Sequence, residues 1–172
     1  MTRTLIVWGA GRIGRGFVAD LFDSPAFHTV FVDIDRALVE ELNARGRYII
    51  VHATRDGLSR RVVQNGFRAV HTDDAQALNA LFEEDQLLLD VAVHEPKLPE
   101  VADILLPLLR HRMAVCPNAV MDVMMNVNMP HPDERFLSLT RERFTDAESA
   151  WFTAHVGVTG IFAMCISPIA PE

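Results

Sequence analysis

The sequence predicts a doubly wound α/β domain with a mainly parallel sheet, and three observations predict it. A strand-length apolar run, "TLIVW" at 4–8, breaks off at four close glycines, Gly9, Gly11, Gly14 and Gly16. Helical spacing of apolar residues begins directly after them, at Ile13, Phe17, Val18, Leu21 and Phe22. Strand-like and helix-like stretches then alternate along most of the chain, which favours parallel strands joined by helical crossovers.

Each element follows from local chemistry. "SPAF" at 24–27 ends the first helix, and "HTVFVD" at 28–33 is a second strand rich in β-branched and aromatic residues. "DRALVEELNARG" at 35–46 opens on a capping Asp and closes on a Gly, with Leu38, Val39 and Leu42 on one face. Between 48 and 72 the rhythm changes. "YIIVHA", "SRRVVQ" and "FRAVHT" are short runs parted by "TRDGL" and "NG", and they predict a small inserted β-meander with a hairpin turn at 65–66. The cluster Arg55, Arg60 and Arg61 reads as a solvated hairpin edge. A helix follows at 74–84, a buried strand at 86–93, and a helix at 98–110. "RMAVCPN" from 112 reads as a strand running into a loop, followed by a short helix, a loop at "NMPHPDE", and helices near 133–143 and 146–154. "HVGVTGIFAMCI" at 155–166 reads as a last strand, and "SPIAPE" at 167–172 as a linker-like tail. The expected organisation is a single dinucleotide-binding domain over 1–172.

Composition narrows the function classes. A net charge of −7 argues against nucleic acid or an anionic membrane as partner, since both would repel the chain. Cys116 and Cys165 stand alone and the histidines are scattered, so no metal site is expected and a reducing, cytoplasmic setting fits. The N-terminus lacks the pattern of a secretory signal, and no apolar stretch reaches the length of a membrane span.

The glycines carry the chemistry. Gly9-x-Gly11-x-x-Gly14 has the dinucleotide-binding spacing. The first glycine permits the tight strand-to-helix turn, the second lets the backbone approach a pyrophosphate, and the third packs the helix on the strand. The fold expectation is therefore Rossmann-type. Gly9, Ala10, Gly11, Arg12, Ile13 and Gly14 are its phosphate-side candidates, at the positive end of the first helix. The second strand ends in Asp33, nineteen residues after Gly14, where a carboxylate grips a ribose diol and repels a 2′-phosphate. That favours NAD over NADP. Arg36 could neutralise a phosphate if it swung inward, but reads as a helix-surface arginine. No Gly-Lys-Ser/Thr follows, so a Walker-type loop is excluded.

Catalytic candidates are sparse. Tyr48 is the single tyrosine and Lys97 the single lysine; His52 stands where a Tyr-x-x-x-Lys dyad would need its lysine. "DVAVHEP" at 90–96 ends a main strand, so Val93 could pass under the cofactor and His94 is a possible acid–base group or a solvated loop histidine. "VCPNAV" at 115–120 puts Asn118 at the next expected strand end, where its amide could orient a nicotinamide or a substrate hydroxyl, or serve only a turn. Lys97 reads as exposed and His155 as structural.

"GAGRIGRGF" at 9–17 resembles the opening of the polyol-specific long-chain dehydrogenases, the family that includes the mannitol-1-phosphate 5-dehydrogenases. The likeness continues through "FVDID", "LNARGRYIIVH", "VAVHEPKLPEVADILLPLL", "CPNAV" and "WFTAHVG". It implies an N-terminal Rossmann domain and metal-free oxidation of polyols or their phosphates with NAD(P). It also implies that the catalytic lysine, with its Asn and His, lies in a following helical domain, which is not among these residues. Two departures stand out. Pro117 replaces the acidic residue that precedes the family's Asn, and Gly160, Ile161, Met164 and Cys165 stand where the family has polar and charged groups. The expected function is the NAD-binding part of such an oxidoreductase, not catalytically complete by itself, with a helical catalytic domain or subunit as partner. The alternatives are a non-catalytic NAD(H)-sensing or partner-binding module and, last, a small complete reductase using His94.

Overall fold

A computed structural model describes residues 2–161. Strand β1 (Arg3–Trp8) leads into α1, a π-helical turn at Gly14–Val18 continued by Ala19–Leu21. Then come β2 (Phe27–Asp33), α2 (Arg36–Arg45), β3 (Arg47–Thr54), β4 (Gly57–Gln64) and β5 (Phe67–His71). The second half holds α3 (Ala75–Phe82), β6 (Leu87–Val91) and α4 (Leu98–Val115). It ends with β7 (Met121–Met125), α5 (Pro132–Arg141), α6 (Asp146–His155) and β8 (Val156–Gly160).

Runs such as "LIVW" are apolar on both sides of the strand, so they need cover on both faces of a sheet. Six strands pair in parallel in the order β5-β2-β1-β6-β7-β8. Alternate side chains of β1 go to opposite cores. Leu5 and Val7 pack with Val18, Val39 and Leu42 of α1 and α2. Ile6 and Trp8 pack with Leu78, Leu81, Leu105, Leu109, Phe136 and Phe152 of α3 to α6. The helices start as their polar caps dictate. Asp35 and Asp74 accept from the N–H groups of Leu38 and Ala77 at 3.1 and 3.0 Å, and Thr145 forms a capping box with Glu148.

The inserted meander is a two-stranded hairpin. β3 and β4 pair antiparallel around Arg55 and Asp56, but β5 leaves them and joins the main sheet beside β2. The "NG" at 65–66 is a left-handed turn, φ 63° and 75°, that redirects the chain into the sheet. β5 is drawn there because Ala69 and Val70 find cover on both faces, which a lone hairpin cannot supply. Tyr48 anchors the hairpin by packing edge-on to Phe31 and Phe67, and this burial pushes its hydroxyl pKa up to about 12. Arg61 is not a solvated edge residue: it pairs with Asp20 and Asp23 on and after α1, and His52 Nε2 also meets Asp20, at 2.9 Å.

A second correction concerns 112–125. The helix expected to stop at Arg110 runs to Val115, and the expected strand at 112 is its last turn. The strand is "MDVMM", expected as a short helix. The cause is Arg112. It is fully buried on the sheet-facing side of α4, and its guanidinium donates to the carbonyls of Phe82, Glu84 and Val120 at 2.7, 2.8 and 2.9 Å. Carbonyls left open at the end of α3 thus hold the end of α4 in register. The last strand ends at Gly160; the rest of the expected strand, with Met164 and Cys165, and the tail at 167–172 lie outside the described residues.

Candidate nucleotide-binding cleft

The strand order reverses between β1 and β6: the chain steps outward through β2 and β5, then returns to the other side of β1. Helical crossovers diverge at such a point and leave a crevice beyond the C-terminal strand ends. The register aligns those ends. Val32 pairs with Trp8, Trp8 with Val91, and Val91 with Met125. One edge therefore carries Asp33, Gly9, Ala92 and Asn126 in neighbouring positions.

The glycine loop is locked onto that edge. Gly9 N–H donates to Val32 O and Ala92 N–H to Trp8 O, both at 2.8 Å. Gly9 has φ +101°, and a Cβ there would lie 2.4 Å from Ala92 O, so the backbone approach excludes any side chain. A Cβ on Gly14 would lie 2.1 Å from Gly9 O and 2.9 Å from Val7 Cγ1, which explains how closely α1 sits on β1. A Cβ on Gly11 would meet nothing within 4 Å: its face is open to the cleft. Gly9 thus makes the tight turn and Gly14 the close helix-to-strand packing.

Asp33 ends β2 beside that loop. Its Oδ2 accepts from Ala10 N–H at 2.7 Å and its Oδ1 from Asp35 N–H at 2.9 Å. These bonds hold the carboxylate at the rim. Arg36 is engaged elsewhere, with His71 Nδ1 at 3.3 Å and Asp73 at 3.4 Å. His71 Nδ1 accepts from Asp73 N–H at 3.1 Å, and Nε2 faces Ile34 O at 2.9 Å.

Gly9, Gly11, Arg12, Ile13, Asp33 and Val93 line one cleft of about 620 Å³, a volume within the range of small-molecule and cofactor sites. Ala10 and Gly14 lie behind it, holding Asp33 and the helix. His94 and Lys97 also line it; Lys97 is exposed and its Nζ pairs with Glu100 at 2.8 Å. His155 stacks on Trp151 at the end of α6 and serves packing.

Asn118 is not brought to the cleft. It lies in the exposed turn between α4 and β7, before Met121, and so at the opposite end of the sheet. Four strand steps separate Met121 from Met125, roughly 13 Å. The amides at the C-terminal end of β7 are Asn126 and Asn128, both lining the cleft. Met121, Val123 and Met125 are the buried positions of that strand, but the apolar Met124 between them breaks the sequence alternation, and methionines are good helix formers. Asp90 was also missed. It is 1% exposed near the C-terminal end of β6, and burial pushes its pKa up to about 7, with the donor effect of Asn126 opposing. Among the described residues no group of three His, Cys, Asp or Glu is placed to hold a metal, and no helix is long and apolar enough to cross a membrane.

Residues 3–170 match the mannitol dehydrogenase Rossmann domain. The chain belongs to that family. This mannitol dehydrogenase-type Rossmann domain is similar to curated mannitol-1-phosphate 5-dehydrogenases. It is 32% identical to that of Brevibacillus brevis over 151 residues, covering 87% of this chain and 38% of the relative. Identity to that of Streptococcus pneumoniae is 32% over 124 residues, covering 71% and 32%. For that of Lacticaseibacillus casei it is 26% over 158 residues, covering 87% and 39%. The chain thus spans between 32% and 39% of the length of these relatives.

The open face at Gly11 and the carboxylate at the neighbouring strand end fit a dinucleotide. Backbone N–H groups at the start of α1 would hold the anionic end of such a group, and Asp33 would accept from its sugar hydroxyls.

Proposed function

We propose that this domain binds NAD(H) and forms the cofactor half of an oxidoreductase that moves hydride between NAD and a polyol or sugar phosphate. The observation that carries the reading is the pairing of the Gly9–Gly14 loop with Asp33 at the point where the strand order reverses. Gly9, Gly11, Arg12 and Ile13 hold the pyrophosphate side, Ala10 and Gly14 support them, and Val93 borders the nicotinamide side. Asp33 receives the adenosine ribose. A bound nicotinamide supplies the hydride carrier. Asp33 repels a 2′-phosphate, and Arg36 is turned toward His71 and Asp73, so NAD is preferred over NADP. The substrate's hydroxyl proton is handled by residues outside these 172, because the groups at the cleft mouth are an exposed histidine and a lysine already paired with Glu100. The isolated cysteines support a reducing, cytoplasmic setting.

Fluorescence titration with NADH and NADPH tests the reading, with Asp33→Ala as the control. NADH binds more tightly to the unaltered chain, and Asp33→Ala erases the preference. Tighter binding of NADPH overturns the role given to Asp33. The 172-residue chain reduces fructose 6-phosphate negligibly with NADH, and appreciable turnover refutes its standing as half of an active site.

A second reading, an NAD(H)-sensing or partner-binding module, is favoured by one observation. Ile49, Leu58 and Val62 are 59%, 72% and 54% exposed on the outer face of the hairpin. Such a module binds NADH equally well but gains no turnover when supplied with a catalytic domain of the family.

A further inference from the structure

Asp90 pairs in register with Met124, and Asn126 lies two residues beyond Met124, so both point to the same face of the sheet on adjacent strands. The Asn126 backbone N–H donates to Val91 O at 2.9 Å, pinning the start of the loop after β7 to β6. The Asn126 amide acts on the Asp90 carboxyl as a donor, opposing the upward push of burial on its pKa, and the Asp90 Oδ2 is buried with no partner. Among the described residues no cation pairs with Asp90. Burying such a group destabilises a strand that an apolar residue would serve better. Its carbonyl-type oxygen does one thing an apolar residue cannot: it accepts a hydrogen bond, and a neighbouring asparagine must present its NH2 to it. The other end of that amide, its carbonyl oxygen, is then left for the cleft that Asn126 lines.

We propose that Asp90 is a positioning residue that fixes the Asn126 amide, so that the Asn126 carbonyl accepts from the carboxamide N–H of a bound nicotinamide. This rests on the NAD(H) reading above and assigns the nicotinamide end of the site. The adenosine and pyrophosphate end is held by other residues, which gives the test its internal control: ADP-ribose fills that end and lacks the nicotinamide.

The full chain and its Asn126→Ala, Asp90→Val, Asp90→Asn and Asp90→Val/Asn126→Ala variants are titrated with NADH and with ADP-ribose. Asn126→Ala and Asp90→Val weaken NADH about tenfold, the value of one net hydrogen bond, and leave ADP-ribose unchanged. Asp90→Asn, which still offers a carbonyl acceptor, restores most of the NADH affinity. The double variant is no weaker than Asn126→Ala, because Asp90 acts through that side chain. Equal loss of both ligands in Asp90→Val, or full additivity in the double variant, overturns the proposal and leaves Asp90 a merely structural residue. If the unaltered chain binds neither ligand, the NAD(H) reading itself fails and takes this inference with it. NMR of the unaltered protein gives a measurement that needs no variant to fold. The Asn126 side-chain NH2 exchanges with solvent at least about tenfold more slowly than that of exposed Asn128, as a buried hydrogen-bonded donor should. Equal exchange rates overturn the proposal.

Discussion

Replacing Asp90 by Asn stabilises the protein above neutral pH and changes little near pH 4. Burial raises the Asp90 pKa from 3.8 to about 7. Between those values the folded chain holds a proton that the unfolded chain has released, so stability falls as pH rises through the window. Each pH unit corresponds to 1.36 kcal/mol, so a shift of about three units removes roughly 4 kcal/mol by pH 8. Asn keeps the shape and cannot ionise. Its unsatisfied amide hydrogens replace an unsatisfied carboxyl oxygen, a pH-independent exchange that enters equally at every pH. Urea denaturation of both proteins from pH 4 to pH 8.5 isolates the effect, since every other titrating group is common to the pair. The variant gains on the wild type steadily between pH 4 and pH 7, then the gap levels off. A gap constant across the range refutes the reasoning, and so does a gap that closes as pH rises.

Further outcomes follow from the same geometry. Gly14→Ala drives a methyl against Gly9 O and Val7, destabilising the fold by about 2 kcal/mol or more in chemical denaturation. Gly11→Ala meets nothing in the protein, so its stability stays within about 0.5 kcal/mol while NADH affinity drops. Arg112→Met abandons three carbonyls between α3, α4 and β7, and lowers stability by roughly 3 kcal/mol, seen as a fall in Tm of about 10 °C. Asp20→Asn loosens the hairpin's attachment to α1, so amides of β3 and β4 exchange faster while those of β1 and β6 do not.

The first two βα units were legible in the residues themselves. Thr4 to Trp8, the glycine spacing, the Asp35 cap, the Gly46 stop and Asp33 all act over a few positions, where propensity and backbone sterics decide the conformation. The family resemblance was legible for the same reason, since its most specific residues fall in that local motif. What lay beyond reach depended on distant partners. β5 looked like a third hairpin strand until the exposed edge of β2 took it. Arg112 looked like the start of a strand because nothing within a few residues shows that the ends of α3 and the approach to β7 supply its acceptors. That one misreading displaced the expected cleft amide from Asn126 to Asn118. The chain alone determined that a glycine loop with a neighbouring carboxylate would form at a strand end, because glycine sterics and strand ends are local facts. Only the tertiary structure decided which later amide shares that edge, because sheet order and register bring Asp90 and Asn126 together from strands that sequence separation keeps apart.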